Sequence, residues 1–353
     1  MLPYIVLVGL PFLAYPFISK ITEEKKAQRI TIFLFFLLYL LLLILRSEKI
    51  GIDLTAYSPM YKKIGATNWG AIAGEYEEIG YAYLCKLFYS MGASFHTFMG
   101  VVAVIEILPI LFLYKTESDD AVLSIAVFII IGVFSMLFSG LRQSIAIALG
   151  AWAFSFMKKK KIISFLLVCA LAMTFHRSAF MLFFMYPLYH VRITKSWLYI
   201  VVPVLIGVFI FNKEIFTWLS KLLPERYENY AMEETGAYAM LALYVIFAVF
   251  SFVIPRDDLL DEETIGLRNL LLLSVALQMF APIHTIAMRM NYYYVIFIPL
   301  LIPKIISRAK LNYINLALLA KYIMILCFTV FFFYSLASGG DPLNIYPYEF
   351  YQG

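Results

Sequence analysis

An all-α, polytopic membrane fold of about twelve transmembrane helices is what this sequence predicts, on three observations. Apolar runs of spanning length recur from end to end, and no polar block is large enough to form a separate soluble domain. Charged residues make up only 14% of the 353, where a soluble domain carries about 25%. The apolar residues form continuous rather than alternating runs, which argues against a transmembrane β-barrel. Residues 1–353 are therefore read as one integral membrane domain.

The spans fall near 2–19, 30–46, 95–114, 121–139, 141–157, 162–176, 178–190, 197–212, 236–254, 267–287, 290–303 and 313–336. The first begins MLPYIVLVGL, without a basic start or a small-residue cleavage site, and reads as a retained helix rather than a signal peptide. The stretches 178–190 and 290–303 are short, so kinked or partial spans are expected there. No internal repeat is evident, which argues against a transporter built from inverted halves. Cys85, Cys169 and Cys327 stand alone, a spacing that suits neither a zinc site nor a disulfide framework. No metal and no cofactor is expected.

Residues 139–180, SGLRQSIAIALGAWAFSFMKKKKIISFLLVCALAMTFHRSAF, read as a membrane hairpin. Lys158 to Lys161 pin one end; Arg142 and Gln143 stand at the other end of the first helix, and His176, Arg177 and Ser178 at the other end of the second. At 1.5 Å per residue, Arg142 lies about 24 Å from Lys158 and His176 about 22 Å from Lys161, so the polar tips meet at similar depth.

Loop charges set the orientation. With the N-terminus outside, sixteen Lys and Arg fall on the inner side, Arg256 and Arg268 among them, and eleven on the outer, while Lys321 lies inside the last span. Four outer arginines sit at helix ends rather than in loops: Arg46, Arg142, Arg177 and Arg289. Snorkelling to lipid headgroups accounts for any one of them; together they read as a cationic layer. The outer loop 47–94 mixes acids, tyrosines and glycines, and over Glu78 to Met91 it spaces Ile79, Tyr83, Leu87 and Phe88 as an interfacial amphipathic helix does. A second outer loop, 213–235, carries Glu214, Glu225, Glu228, Glu233 and Glu234 beside Lys213, Lys221 and Arg226. The tail 337–353, rich in Tyr and Pro, is also expected outside, and the inner acidic loop 256–264 reads as a solvated connector.

Arginine grips phosphate oxygens through a planar, permanently charged fork, so an outer arginine layer suits a lipid phosphate or diphosphate. In glycosyl transfer from a lipid diphosphate, charge builds on the leaving group, and fixed arginines would stabilise it in the transition state. The attacking sugar hydroxyl needs a proton acceptor; His176, Asp53, Glu75, Glu77 and Glu78 lie on the same side. Among His96, His176, His190 and His284, only His176 is flanked by Arg and Ser at an outer helix end. Asp53, seven residues after Arg46, fits either a base or an ion pair with the layer, so His176 and Asp53 both stand as candidates.

Taken in order, RSEKIGIDLTAY (Arg46, Gly51, Asp53, Tyr57), EEIGYAYL (Glu78, Gly80, Tyr81), LRQSIAIAL (Arg142, Gln143, Ala146), FHRSAF (His176, Ser178, Ala179), RMNYYY (Arg289, Tyr293) and the tail PYEF resemble the EpsG-like group of Wzy-type bacterial polysaccharide polymerases. The resemblance implies a polymerase of exopolysaccharide, capsule or O-antigen units at the outer, periplasmic face of the bacterial inner membrane, with a GT-C-like helical fold and no required metal. It implies transfer of the growing chain from undecaprenyl diphosphate to the non-reducing sugar of the next lipid-linked unit. On that reading His176 or Asp53 serves the acceptor hydroxyl, and Arg46, Glu78, Arg142, Gln143, Arg177, Ser178, Arg289 and Tyr293 contact substrate. The expected partners are undecaprenyl-diphosphate-linked oligosaccharides, the lipid bilayer, a chain-length regulator and other polysaccharide export proteins; no nucleic acid is expected.

Two rivals share the need for membrane cations. A lipid-linked oligosaccharide flippase would line a path reachable from both faces, whereas here the charges cluster on one side. An O-antigen ligase or membrane acyltransferase would also place Arg and His near the outer surface.

Overall fold

The computed structural model describes residues 1–221, 237–255, 260–310, 314–340 and 343–352. These residues are helical, with no strand and one isolated antiparallel bridge, Arg46 to Phe350. The chain divides into two compact units, Met1–Phe183 with Leu318–Gly353, and Phe184–Ala317.

The first unit holds α1 (Leu2–Ile21), α2 (Glu24–Leu45), α3 (Leu54–Ala66), α4 (Ile72–Glu75), α5 (Ile79–Ser90), α6 (Phe95–Glu117), α7 (Ala121–Phe128), α8 (Val133–Ser139), α9 (Leu141–Lys158), α10 (Ile162–Phe175) and the start of a 3-10 segment, Arg177–Phe184. The second holds α11 (Met185–His190), α12 (Leu198–Ile210), α13 (Asn212–Ser220), α14 (Tyr238–Val253), α15 (Glu262–Gln278), α16 (Thr285–Val295) and α17 (Ile298–Lys310). The chain closes with α18 (Ile314–Ala337), most of which belongs to the first unit.

In the first unit, α2 packs against α1 and α6, α6 against α9, and α9 along α10. The buried stripe of α2, Ile32, Phe35, Phe36, Tyr39 and Leu43, has the three- and four-residue spacing of a helix face. It meets Tyr114, Phe128, Phe134 and Phe138 in an aromatic core, with Tyr39 stacked on Phe134 at 4.7 Å. The loop 47–94 folds into α3, α4 and α5 over a second core of Leu54, Tyr57, Tyr61, Ile72, Tyr81 and Cys85. Of the stripe expected at the membrane interface, Tyr83 and Leu87 are exposed and Ile79 and Phe88 are half-buried; the residues of α5 that turn inward are Tyr81, Ala82 and Cys85.

In the second unit α15 is central, packed by α11, α14 and α16. Arg268 is not the loop cation expected from its charge. It lies fully buried on α15, donating from Nη2 to the Ile193 carbonyl at 2.6 Å with its guanidinium 3.9 Å from the Phe252 ring centre. Asn269 binds the Leu188 and Val191 carbonyls at 2.8 and 2.6 Å, so two neighbouring side chains fasten the turn after α11. Of the acidic connector, Asp261 caps α15 through the Thr264 N–H at 2.7 Å and pairs with Arg308 at 2.7 Å, and Glu263 pairs with Lys304 at 3.0 Å. Asp257 and Asp258 lie outside the described residues, as do Glu225, Arg226, Glu228, Glu233 and Glu234.

The span count differs from expectation. Among the described residues four helices are long and apolar enough to cross a membrane (α1, α2, α6 and α18), or up to seven if each of three bent pairs counts as one span. The stretch expected as 121–139 is broken between α7 and α8 with a 60° bend, at Gly132 with φ 80°. The stretches 267–287 and 290–303 re-divide as α15, ending at Gln278, and a pair α16–α17 bent by 51°. The hairpin 139–180 appears as α9 and α10, but Arg142, Gln143 and Ser144 lower the mean hydropathy of α9, and α10 is a shorter apolar helix.

Lys321, inside α18, is paired with Asp120, the N-cap of α7, whose Oδ1 also accepts from the Leu123 N–H at 3.1 Å. Both residues are buried, at 8% and 7% exposure. Removing one member of such a pair strands the other, at a cost of about 3–5 kcal/mol, whereas neutralising both is close to neutral. Lys321→Met is therefore expected to lower thermal stability in detergent strongly. Adding Asp120→Asn, which keeps a capping oxygen, should recover most of the loss. Equal stability of Lys321→Met and the parent would show that the pair does not hold α18 in place.

Candidate functional site

Three segments of the first unit, α9, the end of α10 and the 3-10 segment after it, converge on one carboxylate, Glu78. Glu78 occupies the N-cap position of α5, yet its side chain makes no capping bond and reaches across to α9 and α10. Oε2 pairs with Arg142 Nη1. Oε1 meets His176 Nδ1 at 2.7 Å and accepts the backbone N–H of Arg177 at 3.2 Å. The side chain is only 12% exposed.

Local structure explains each partner. Gly140 ends α8 and starts α9, which places Arg142 in the first turn, where the helix dipole disfavours a cation. Glu78 supplies the offsetting charge, and Tyr57 accepts from Arg142 Nε at 3.2 Å with its ring 5.4 Å from the guanidinium. His176 is the extended C-cap of α10, so its ring projects from the helix end toward Glu78. α5 and α10 approach closely at Gly80, where a Cβ would lie 2.3 Å from Thr174 Oγ1. Arg177, half-exposed, pairs with Glu77 at 3.0 Å.

Asp53 lies beside this cluster. Its backbone N–H donates to Ser139 Oγ at 3.1 Å, and a Cβ on Gly140 would sit 3.8 Å from its Oδ2. The segment before it approaches α8 so tightly that a Cβ on Gly51 would lie 2.2 Å from the Phe138 carbonyl oxygen; Gly51 has φ 107°.

The structure thus brings Asp53, Glu78, Arg142, His176 and Arg177 to one end of the first unit, with Ser178 half-buried next in the chain. It corrects other expectations. Arg46 is fully buried, donating to the Leu137 carbonyl at 3.3 Å with its guanidinium 5.6 Å from the Phe138 ring centre, rather than lying in an open cationic layer. Gln143, 2% exposed, and Tyr293, 1% exposed, are likewise buried. Arg289 is half-buried on α16 in the second unit. Nor are the site cations bare: Arg142 and Arg177 are each matched by a carboxylate, so both signs interleave. Tyr57 was missed as a site residue; its signal was the four-residue spacing from Asp53 at the start of a helix. Among the described residues no group of three or more His, Cys, Asp or Glu is placed to hold a metal.

The electrostatics favour an ionised Glu78. Burial pushes its carboxyl up, but the hydrogen bond and charge of His176, the charge of Arg142 and the Arg177 N–H together bring it below the usual value. A depressed folded pKa contributes stability that is fully present above the unfolded carboxylate value, about 4.3, and is lost as pH falls through the folded one. Glu78→Gln should therefore flatten the acid limb of thermal stability below about pH 4, and an unchanged limb would mean these partners do not hold the carboxylate.

Apolar helices long enough to span and a polar cluster of carboxylates, histidine and arginines at one end of the first unit define a helical membrane protein with a partly buried ionisable cluster. A family model, described as the EpsG family, matches residues 29–350. The chain belongs to the EpsG family, and membership points to a polysaccharide-polymerase-like membrane protein of glycosyltransferase type. Searches of curated proteins and of solved structures find no match.

Proposed function

We propose that this protein is a polysaccharide polymerase that transfers the growing glycan from undecaprenyl diphosphate to the non-reducing sugar of a lipid-linked repeat unit, at the outer face of the inner membrane. The observation that carries this reading is the single carboxylate shared by His176 and Arg142. A carboxylate only accepts, so Nδ1 of His176 carries the hydrogen and Nε2 is left with the lone pair. Nε2 takes the proton of the acceptor hydroxyl as its oxygen bonds to the donor's anomeric carbon. The bond from that carbon to the diphosphate oxygen breaks, and the lipid diphosphate leaves with the electron pair. Glu78 stabilises the imidazolium formed, as an orienting carboxylate does for a general base.

The leaving diphosphate meets two arginines. Arg142 uses Nη1 and Nε in its protein contacts and retains Nη2 for phosphate. The Arg177–Glu77 pair is about half exposed on both sides, so it is worth under about 1 kcal/mol and exchanges for phosphate at little cost. Asp53 is assigned to orienting the acceptor sugar, leaving His176 as the base. The arginines take the charge-stabilising part that a divalent metal plays in many nucleotide-sugar enzymes.

The test is the purified protein in lipid nanodiscs with a lipid-linked repeat unit. A ladder of products separated by whole repeat units is expected. Movement of the unit between leaflets without elongation would instead identify a flippase, and transfer to a different acceptor without a ladder would identify a ligase.

A further inference from the structure

The segment before Asp53 has little secondary structure of its own, and the C-terminal segment 343–352 supplies its backbone partners. Ser47 N–H donates to the Glu349 carbonyl at 2.9 Å, Gly51 N–H to Asn344 at 3.1 Å and Ile52 N–H to Leu343 at 3.0 Å. In return Tyr351 N–H donates to Leu45 at 2.9 Å and Asn344 Nδ2 to the Lys49 carbonyl at 3.3 Å. Side chains secure the segment at both ends. Tyr4 OH binds the Ile345 carbonyl, Tyr348 OH donates to the Leu42 carbonyl at 2.7 Å, and the Tyr351 ring stacks on His96 at 3.6 Å and 7°. Leu343 and Ile345 are buried, so these are packed contacts and not surface adhesion.

Asp53 is therefore held from two sides. α8 presents Ser139 Oγ to its N–H and the Phe138 carbonyl to Gly51, while the C-terminal segment takes the N–H groups of the two residues just before it. Without those partners, Gly51 and Ile52 would be a short connector with unsatisfied backbone donors beside a close-packed carbonyl.

We propose that residues 343–352 are a strap that positions Asp53, and through it the acceptor sugar, so that this segment is a working part of the site. The claim about the sugar rests on the polymerase reading above; the claim about the segment does not. In the strapped state the backbone around Lys49 is bonded while the Lys49 side chain is 79% exposed, so trypsin finds the residue but not an extended chain.

Three variants test this in the full-length background: deletion of 343–353, Tyr351→Ala and Tyr351→Phe. Each is measured for the rate of tryptic cleavage after Lys49 and for kcat and KM in ladder formation. Deletion is expected to speed cleavage at least tenfold and to abolish the ladder. Tyr351→Ala should give a smaller rise in cleavage and a higher KM for the lipid-linked acceptor. Tyr351→Phe, which keeps the ring stacked on His96, should match the parent in both. Unchanged cleavage on deletion overturns the strap, whatever the activity. Faster cleavage with full polymer formation overturns its positioning role. If the deletion variant does not fold, Tyr351→Ala against Tyr351→Phe decides the matter, and equal behaviour of those two overturns the proposal. A parent protein that builds no ladder defeats the polymerase reading alone, because the cleavage rates still decide the strap.

Discussion

His176→Ala is expected to cut polymer formation roughly 10²–10⁴-fold at unchanged protein level, the range a positioned general base contributes. The magnitude follows from what the imidazole does in this geometry. With Nδ1 committed to Glu78 at 2.7 Å, the ring has one nitrogen left to accept a proton, and its orientation is set by a carboxylate that Arg142 and the Arg177 N–H hold in turn. His176→Gln, which preserves a polar side chain without a comparable proton acceptor, should fail almost as completely. Asp53→Asn should be milder, raising KM for the acceptor more than it lowers kcat, because it leaves the base intact. Polymer yield per protein in membranes, read as chain length and amount, measures all three. Full polymer from His176→Ala alongside none from Asp53→Asn would reverse the two roles.

Gly51→Ala is expected to be the most damaging small substitution in the first unit. At φ 107° a non-glycine residue is strained, by roughly 1–3 kcal/mol, before any contact is considered. The added methyl would then lie 2.2 Å from the Phe138 carbonyl oxygen and 3.0 Å from Ser139 Cα. Backbone atoms have no rotamer to change, so the segment must move away from α8, and Asp53 moves with it. Loss of polymer, faster tryptic cleavage after Lys49 and a lowered melting temperature should appear together. Gly70→Ala, on the same loop with nothing within 4 Å of the added carbon, serves as the comparison and should behave as the parent. Equal behaviour of the two variants would mean that the approach to Phe138 is not required.

Much of this was legible in the sequence, for identifiable reasons. The hairpin emerged as α9 and α10 because four lysines and two polar tips mark ends that hydropathy alone blurs. His176, Glu78 and Arg142 stood out as polar residues at the ends of apolar or amphipathic stretches. Their grouping around one carboxylate did not, since 64 and 98 residues separate Glu78 from Arg142 and His176 and no local pattern encodes such a contact. The span count failed where a glycine or a short break splits an apolar run into two bent helices, as at Gly132.

Arg268 misled because a charge count places an arginine in a loop, whereas a guanidinium that finds a backbone carbonyl and an aromatic face can be buried whole, as Arg46 at its helix end also is. Glu106 carried a readable signal that went unused: an acid in the middle of an apolar run marks a polar interior, and it is fully buried on α6. Lys321 announced itself in the same way, but its partner Asp120 could be found only in the fold.

Chemical rescue tests the central claim most directly, because it separates a base from a structural histidine. Purified His176→Ala in nanodiscs, given a lipid-linked repeat unit, is followed with and without added imidazole. A base oriented by Glu78 predicts almost no ladder without imidazole and a restored, concentration-dependent ladder with it, while a His176→Ala/Glu78→Gln protein responds weakly or not at all. Undiminished ladder formation by His176→Ala without imidazole would contradict the account.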